Sequence, residues 1–297
     1  MRHHTLQIGP FRYHIESNVP NVETAMERLY DRYPHPAEDS WFDFHIRLIP
    51  RAIGSSECRL FLDHEQPFAP FPRNQAGAVL EWGMNWSIWL NVAQWLVFHA
   101  AMLERNGNGL ILAANSGDGK STLTAGLAFH GWRLLSDELT LIDPEDTRTI
   151  EDGEPPLPQM IPIPRPICLK NESVSLIREF VPEAIFSDLY PETNKGCIAH
   201  VKPREEAVRR MHERVSPRWI VFPKYEKGAL PQWSRWDKAE AMIQLGQNGV
   251  DYSTLGAKGF ETLADVIHHC DCWKFVYSNL ADAVSEFEKL TSGRLEE

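Results

Sequence analysis

Residues 113–122 read Ala-Ala-Asn-Ser-Gly-Asp-Gly-Lys-Ser-Thr. A short apolar run, residues 109–113, precedes this stretch, and residues 121–129 after it have the apolar spacing of a helix. Glycine at positions 117 and 119 lets consecutive backbone N–H groups turn inward and form a concave anion site. The positive end of the following helix points at the same place. The stretch therefore predicts an α/β fold in which a strand, a phosphate-binding loop and a helix follow one another.

The side chains in this stretch match the spacing G-x-x-x-x-G-K-[ST], with Ala114 in place of the first glycine. Alanine suffices at that position if its φ is negative. In such loops the lysine reaches the β- and γ-phosphate oxygens and the following hydroxyl binds Mg²⁺, roles that fall here to Lys120 and Ser121. We therefore expect the chain to bind ATP with Mg²⁺, and GTP stays open as an alternative. The predicted nucleotide-binding residues are Asn115, Ser116, Gly117, Asp118, Gly119, Lys120, Ser121 and Thr122.

Two acidic residues and one histidine are predicted to accompany the loop. Asp137 and Glu138 follow a predicted strand, residues 132–135, where a second carboxylate is expected near the metal. The same pair could instead cap the turn after that strand. His99 begins a strand that a hairpin, turning at residues 106–108, folds back beside the strand before the loop. His99 is thus a candidate for the γ-phosphate site, or a structural histidine.

Local patterns divide the chain into a small α+β N-terminal domain, residues 1–80, and a larger domain, residues 81–297. Strands are predicted over residues 7–15 and 42–48, and a helix over 22–33. Prolines 67, 70 and 72 suggest a boundary loop. The tryptophan-rich run 82–98 is interpreted as a helix face packed between two layers. Further elements are expected at 219–222, 239–247, 259–270, 273–276 and 280–290, with an ordered proline-rich segment at 155–166.

Composition limits the classes of partner and the setting. The net charge of −11 disfavours non-specific binding to nucleic acid or to anionic membranes. No apolar run is long enough for a transmembrane helix, and no secretory signal is expected. The five cysteines form no even framework, which favours a reduced, cytoplasmic setting. Cys270 and Cys272 lack a second ligand pair at zinc spacing, so we interpret them as core residues.

The order of these elements resembles the catalytic domain of HPr kinase/phosphorylase, and more closely the HPr-kinase-related kinases (the kinase A branch). Both share a histidine, a hairpin, the G-x-S-G-x-G-K-S loop, a helix and a strand ending in two acids. Here these are His99, residues 114–121 and residues 131–138. Residues 81–86, 165–171 and 195–200 also resemble the related-kinase branch. The resemblance covers most of the chain, with 99–138 the most specific part. It implies a P-loop kinase domain of PEP-carboxykinase-like type behind a small N-terminal domain.

The resemblance also implies roles for individual residues. Asp137 would accept the proton of a seryl hydroxyl, Glu138 would lie near the metal, and His99 would lie beside the transferred phosphoryl group. Lys120 would neutralise the β/γ charge, and Ser121 would bind Mg²⁺. The implied function is an ATP-dependent serine kinase acting on a peptide or small protein. Relatives of this type are associated with modification of peptide natural products, so a precursor peptide is one implied substrate class.

The sequence departs from the family after the two acids, because the second signature, a glycine-rich stretch with acidic and arginine residues, is not recognisable. HPr as substrate and the reverse phosphorylase reaction therefore stay open. Candidates for a substrate or γ-phosphate clamp are Arg165, Lys170, Lys195 and His200, each of which could equally be a surface residue. Two other functions stay open, namely a metabolite kinase of the same fold and a nucleotide-binding regulatory module without transfer. A homo-oligomer is compatible with the sequence, which leaves the oligomeric state open.

Overall fold

The structure is a computed structural model that describes residues 1–149, 154–250 and 254–295. It is a mixed α/β protein that divides into two compact units. The first unit consists of Met1–Asn91 and Ile163–Arg209, and the second of Val92–Pro162 and Arg210–Glu297. The predicted division into 1–80 and 81–297 was continuous, whereas each compact unit is built from two separate segments of the chain.

The helices are α1 (Pro20–Leu29), α2 (Ala76–Asn91), α3 (Lys120–Phe129), α4 (Glu172–Phe180), α5 (Glu205–Arg209), α6 (Lys238–Gln247), α7 (Gly256–His269) and α8 (Leu280–Ser292). The strands are β1 (Arg2–Ile8), β2 (Phe11–Ser17), β3 (Phe44–Pro50), β4 (Glu57–Leu62), β5 (Phe71–Pro72), β6 (Leu96–Phe98), β7 (Ala101–Arg105), β8 (Asn108–Leu112), β9 (Arg133–Ser136), β10 (Thr140–Arg148), β11 (Leu157–Met160), β12 (Ile167–Lys170), β13 (Tyr190–Thr193), β14 (Gly196–Val201), β15 (Pro217–Tyr225), β16 (Gln232–Arg235), β17 (Gly249–Val250) and β18 (Asp271–Tyr277).

The first unit contains a five-stranded sheet in the order β1-β2-β3-β4-β5 and a three-stranded sheet in the order β12-β14-β13. β1 and β2 form an antiparallel hairpin that turns between Ile8 and Phe11, with Gly9 at a φ of 55°. The single strand predicted over residues 7–15 is therefore wrong, because glycine and proline at positions 9 and 10 make a tight turn inside that run.

The tryptophan-rich helix differs from its prediction in both position and orientation. α2 ends at Asn91, and Leu96–Phe98 form strand β6 instead of continuing the helix. Trp86 and Trp89 are each 38% exposed, so the tryptophan side of α2 is not a face packed between two layers. The buried side combines aliphatic side chains, such as Leu80 and Met84, with small residues. A Cβ at Gly83 would lie 2.7 Å from Leu60 Cδ1, so glycine there allows the helix to approach the sheet closely.

The second unit is built on a six-stranded sheet in the order β16-β18-β15-β8-β7-β9. The neighbouring strands β18, β15 and β8 are parallel, whereas β16 and β7 are antiparallel to their neighbours. A buried apolar cluster joins this sheet to α6, α7 and a four-stranded sheet in the order β11-β10-β6-β17. Helices α3 and α8 pack against each other, where Leu280 and Val284 contact Gly126.

The local predictions around the glycine-rich loop are confirmed for secondary structure. β7 and β8 form a hairpin with Arg105 paired to Asn108, and Asn106 and Gly107 have φ values of 53° and 79°. Positive φ at both central residues is the type I′ geometry that Asn-Gly favours. α3 ends at Phe129 and is followed, as predicted, by a glycine at C′, Gly131, whose φ is 88°; the Trp132 N–H donates to the Leu127 carbonyl at 3.2 Å.

The C-terminal third also follows its predicted order, as β15, α6, α7, β18 and α8 cover the expected runs. Cys270 and Cys272 are buried core residues, as predicted, and burial raises the pKa of the Cys272 thiol to about 11. In the proline-rich segment, Leu157–Met160 form β11 and residues 161–166 are buried. Across the described ranges, every helix is too short or too polar to cross a membrane.

Candidate functional site

The glycine-rich loop joins the end of the central strand β8 to the start of helix α3. β8 ends at Leu112, and α3 begins at Lys120 after residues 113–119. Gly117 and Gly119 have φ values of 101° and 87°, so both adopt the left-handed conformation that the sequence predicted from glycine. Ala114 is not among the described residues with positive φ, so alanine there carries no such strain. The backbone thus has the strand–turn–helix geometry that the motif requires.

The loop is closed by its own hydrogen bonds and by a neighbouring strand. The Asn115 N–H donates to the Asp118 carboxylate at 3.1 Å, and the Asp118 N–H donates back to the Asn115 carbonyl at 3.2 Å. The Asp118 carbonyl accepts a bond of 3.0 Å from the backbone N–H of Tyr225, at the end of β15. Residues 115–117 are exposed. The loop is therefore fixed in position while its outer surface stays open to solvent.

Gly119 is required at its position for a second reason besides its backbone angle. The Tyr277 hydroxyl donates to the Gly119 carbonyl at 3.0 Å, and a Cβ on residue 119 would collide with that hydroxyl. Burial, with smaller contributions from Tyr225 and Asp118, raises the pKa of Tyr277 above its usual value, so the hydroxyl stays protonated and can donate. The sequence analysis missed Tyr225 and Tyr277. Their signal was their place at the carboxyl ends of two strands parallel to β8.

The start of α3 is the electropositive part of the site. The first intrahelical bond runs from the Leu123 N–H to the Gly119 carbonyl at 3.0 Å. The N–H groups before Leu123 belong to the first turn, where an α-helix offers donors without intrahelical acceptors. The first turn of α3, all of it described, contains no acidic side chain and its N-cap makes no side-chain bond. The positive end of the helix would favour an anion at this position.

Lys120 connects the loop to the predicted acidic pair. Its side chain is 9% exposed, and its Nζ donates to the Asp137 backbone carbonyl at 2.5 Å. The same Nζ lies 4.0 Å from Asp137 Oδ1. Asp137 is 4% exposed and Glu138 is half-buried. Lys120 and Asp137 are therefore in contact. They are 17 residues apart in sequence and meet because β9 returns the chain beside α3.

Strand register brings His99 to the same part of the second unit. Met102 of β7 pairs with Ser136 of β9, and Phe98 of β6 pairs with Thr140 of β10. The connection containing His99 and the connection containing Asp137 and Glu138 therefore run side by side between these two pairs. The Thr140 hydroxyl ties the two connections together by donating to the Ala100 carbonyl at 3.2 Å.

The turn after β9 is closed by a residue that the sequence analysis did not single out. The Leu139 N–H donates to Ser136 Oγ at 3.2 Å.

His99 lies in the bend before β7 instead of starting that strand, and its backbone N–H donates to the Asn248 carbonyl at 2.8 Å. The segment before β17 thus forms a further neighbour of the His99 connection.

The four clamp candidates belong to the first unit, whereas the loop belongs to the second. The Arg165 guanidinium is buried, donating to the Glu81 carboxylate at 2.7 Å and to Asn85 Oδ1 at 2.6 Å. Burial is the largest single effect and acts to lower the pKa of Arg165, but Glu81, Tyr30 and Tyr13 together outweigh it and the pKa is raised. His200 is also buried, on β14.

The two remaining clamp candidates are more accessible. Lys170 ends β12 and is half-buried. Lys195 is exposed, with its Nζ 5.4 Å from the centre of the Trp82 ring. These two lysines thus present cationic groups on the first unit, while the guanidinium of Arg165 is engaged inside it.

No family model matches the sequence, and no curated protein matches it. A solved structure of the Hpr(Ser) kinase/phosphatase from Coxiella burnetii matches with 13% sequence identity, 66% of this chain and 98% of that chain covered, and a TM-score of 0.27.

Proposed function

We propose that the chain is a Mg-ATP-dependent kinase that transfers the γ-phosphoryl group to a hydroxyl, that of a serine in a peptide or small protein. The observation that carries the proposal is the loop of residues 113–119 between β8 and α3, with Lys120 in contact with Asp137. A strand–loop–helix turn of this kind offers main-chain donors and a helix terminus to a polyphosphate.

The loop residues suit a nucleotide phosphate in their detail. Left-handed glycines at 117 and 119 shape the concave backbone, and the collision that a side chain at 119 would meet keeps this position bare. The buried stem of Lys120 holds one positive charge next to the helix terminus. Since ATP carries its charge on the β- and γ-phosphates, this pairing of cation and backbone donors favours the triphosphate end.

The residues also suit a magnesium ion, which prefers hard oxygen ligands and normally retains several waters. Ser121 would supply a hydroxyl oxygen from the first turn of α3, and Asp137 and Glu138 would supply carboxylates. When bound with ATP, the ion would neutralise charge on the phosphate oxygens. Ser121 and Glu138 are half-buried, so both residues are accessible to a hydrated ion.

Asp137 is our candidate for the general base. Its carboxylate would accept the proton of the acceptor hydroxyl as the hydroxyl oxygen bonds to the γ-phosphorus. The bond from that phosphorus to the bridging oxygen breaks, and ADP leaves with the electron pair. Lys120 would hold negative charge that develops on the phosphate oxygens, and His99 would contribute from the adjacent connection. Such base assistance is worth about 10²–10⁴ in rate, and electrostatic stabilisation is usually the larger contribution.

The proposal also covers the class of acceptor substrate and the cellular location of the chain. The resemblance to HPr-kinase-related kinases supports a peptide acceptor, including a natural-product precursor, and leaves a small metabolite as the alternative. Lys170 and Lys195 stay as proposed clamp residues because their cationic groups are accessible. Cys58, Cys197, Cys270 and Cys272 are free thiols, which supports a reducing, cytoplasmic location.

The test compares Lys120→Met and Asp137→Asn with the parent chain in two measurements. Calorimetry measures Mg-ATP binding, and mass spectrometry measures phosphorylation of a pool of serine peptides and, separately, a pool of hydroxyl metabolites. We expect Lys120→Met to weaken binding. Asp137→Asn should still bind Mg-ATP, since Ser121 and Glu138 remain as metal ligands, but lose about 100-fold or more of the transfer rate, because the base is removed.

Circular dichroism and thermal unfolding serve as the folding controls for both variants. Transfer by Asp137→Asn at the parental rate would remove Asp137 as the base. Binding of Mg-ATP without any product from either pool in the parent chain would instead support a regulatory nucleotide-binding module. Absence of Mg-ATP binding by the folded parent would end the proposal altogether.

A further inference from the structure

Three potential metal ligands lie on one face of the β1–β2 hairpin in the first unit. His3 of β1 is directly opposite Glu16 of β2 in the antiparallel register. His14 lies two residues before Glu16 on the same strand, and side chains two apart in a strand point to the same face. The hairpin register therefore brings two imidazoles and a carboxylate together, although His3 is distant from the other two in sequence.

The distances within this group, which we call the hairpin triad (His3, His14 and Glu16), match a metal site. One ligand atom from each residue lies within 4.8 Å of the others. His3 Nδ1 is 3.4 Å from His14 Nε2. Two nitrogens bound tetrahedrally to zinc at about 2.0–2.1 Å would be about 3.4 Å apart. Glu16 Oε1 lies 3.7 Å from His3 Nδ1, and it lies 4.0 Å from His14 Nδ1, the other nitrogen of that ring, so side-chain rotation of Glu16 would complete the set.

Neighbouring side chains hold the triad without blocking it. The His14 ring contacts the rings of Phe42 and His45, with centroid distances of 5.4 and 5.5 Å. Such packing orients the more buried of the two imidazoles. Arg47 is opposite Glu16 in the β2–β3 register, but its guanidinium lies over the Phe61 ring, 4.9 Å from its centre. The positive charge of Arg47 therefore lies against the Phe61 ring.

We propose that the hairpin triad is a binding site for a borderline divalent transition metal ion, of which Zn²⁺ is the representative. Imidazole nitrogen with one carboxylate oxygen is a donor set that suits Zn²⁺ better than Mg²⁺ or Ca²⁺. Two neutral imidazoles and one carboxylate carry a single negative charge, which attracts a dication. With three protein ligands, the fourth position would be left to water or to a further ligand. The site is independent of the proposed kinase chemistry.

The side chains of the triad are accessible enough for an ion to enter. The exposed fractions of the side chains are 43% for His3, 16% for His14 and 30% for Glu16. His3 can therefore be replaced with little effect on the packed core. Without a metal, the short contact between the two rings is a hydrogen bond from one imidazole N–H to the other nitrogen, and this is the competing explanation.

The experiment titrates ZnCl₂ into the full chain by calorimetry in buffer free of chelators and nucleotide. His3→Gln, His14→Gln and Glu16→Gln each remove one ligand, and His64→Gln is the matched control, because His64 is an exposed histidine outside the triad. We expect one Zn²⁺ per chain at the triad. Each triad variant should bind at least about 10-fold more weakly, since even loss of a group supporting a ligand costs 10–100-fold. His64→Gln should bind like the parent.

Thermal unfolding with and without Zn²⁺ provides a second readout. The ion should raise the unfolding temperature of the parent and of His64→Gln but much less that of His3→Gln, because binding to the folded state stabilises it. If His14→Gln fails to fold, the exposed His3→Gln variant still decides the matter. Equal Zn²⁺ affinity in the parent and in His3→Gln, or no binding by the parent, would overturn the proposal and leave a ring–ring hydrogen bond only.

Discussion

Gly119 combines three structural demands in one residue. Its φ of 87° belongs to the left-handed region, its carbonyl accepts the Tyr277 hydroxyl, and its backbone forms the N-cap of α3. Gly117 shares the left-handed angle but has open space where a Cβ would lie. A side chain at Gly117 would therefore meet backbone strain alone, whereas one at Gly119 would meet backbone strain and a steric clash.

This difference predicts the outcome of two alanine substitutions. Gly117→Ala should cost about 1–2 kcal/mol of backbone strain. Gly119→Ala should add an overpacking cost of about 1–3 kcal/mol from the Tyr277 contact. We expect Gly119→Ala to weaken Mg-ATP binding at least about 10-fold more than Gly117→Ala, a difference of 1.4 kcal/mol or more. Calorimetric titration of Mg-ATP into each folded variant measures it.

The double variant Gly119→Ala with Tyr277→Phe is the control for this explanation. Phenylalanine lacks the hydroxyl that the new Cβ would meet, so part of the lost affinity should return. Equal affinities for Gly117→Ala and Gly119→Ala would show that backbone angle alone governs the loop and that Tyr277 has no part in excluding a side chain.

Arg165 illustrates how a residue's role depends on its surroundings. The sequence offered it as a phosphate clamp because a guanidinium suits phosphate. In the first unit, however, this guanidinium pairs with Glu81, whose other oxygen accepts the Tyr30 hydroxyl at 2.6 Å. Removing one partner of such a buried pair leaves the other charge uncompensated. Its geometry therefore favours a structural role, which the sequence could not reveal because Glu81 is remote in the chain.

At the level of elements, local signals predicted the segments around the loop well. The β7–β8 hairpin, α3 and its glycine C-terminus each depend on residues adjacent in sequence, and each was predicted correctly. The β1–β2 turn and the orientation of α2 were not. Helix α2 carries tryptophans on its exposed side and a mixture of aliphatic and small residues on its buried side, so the tryptophan spacing indicated the wrong face. Only the packing partners of Gly83 decide which face is buried.

The Asn106-Gly107 turn leads to a prediction about the hairpin that feeds the loop. Gly107 has a φ of 79° and open space at its Cβ position, so Gly107→Ala should act through backbone strain alone. We expect a loss of about 1–2 kcal/mol in the free energy of unfolding, measured by urea denaturation. The matched control is Asn108→Ala, at an exposed neighbour that has no positive φ; it loses only the exposed bond from its Nδ2 to the Asn106 carbonyl, so it should change stability less. Equal effects of the two substitutions would contradict the type I′ interpretation.

At the scale of the whole chain, the compact units depend on contacts that no local pattern shows. Residues 163–209 return to the first unit, where the Tyr33 hydroxyl donates to the Pro164 carbonyl at 2.7 Å. Gln75 similarly donates to the Glu192 carbonyl at 3.0 Å. The prolines near residue 70 predicted a domain boundary there. Composition does not indicate which distant segment of the chain completes the core of a unit. The conformation of the loop was predictable because its strand, turn and helix are contiguous, whereas Tyr225 and Tyr277 reach it through parallel strand pairing.

A truncated chain of residues 81–297 tests the two descriptions of the molecule against each other. If the units are discontinuous, this truncation removes the five-stranded sheet and α1, and leaves residues 163–209 and α2 without their packing partners. Buried groups such as Arg165 and Glu81 then lose the Tyr30 contact, and apolar surface that the sheet covered becomes exposed. We expect limited proteolysis to cut the truncated chain first within 163–209, while 92–162 and 210–297 resist because their own core is intact. The full chain is the control, and it should resist at 163–209 under the same protease. If the truncated chain resisted cleavage at 163–209 as strongly as the full chain does, that result would instead support an autonomous domain beginning near residue 81.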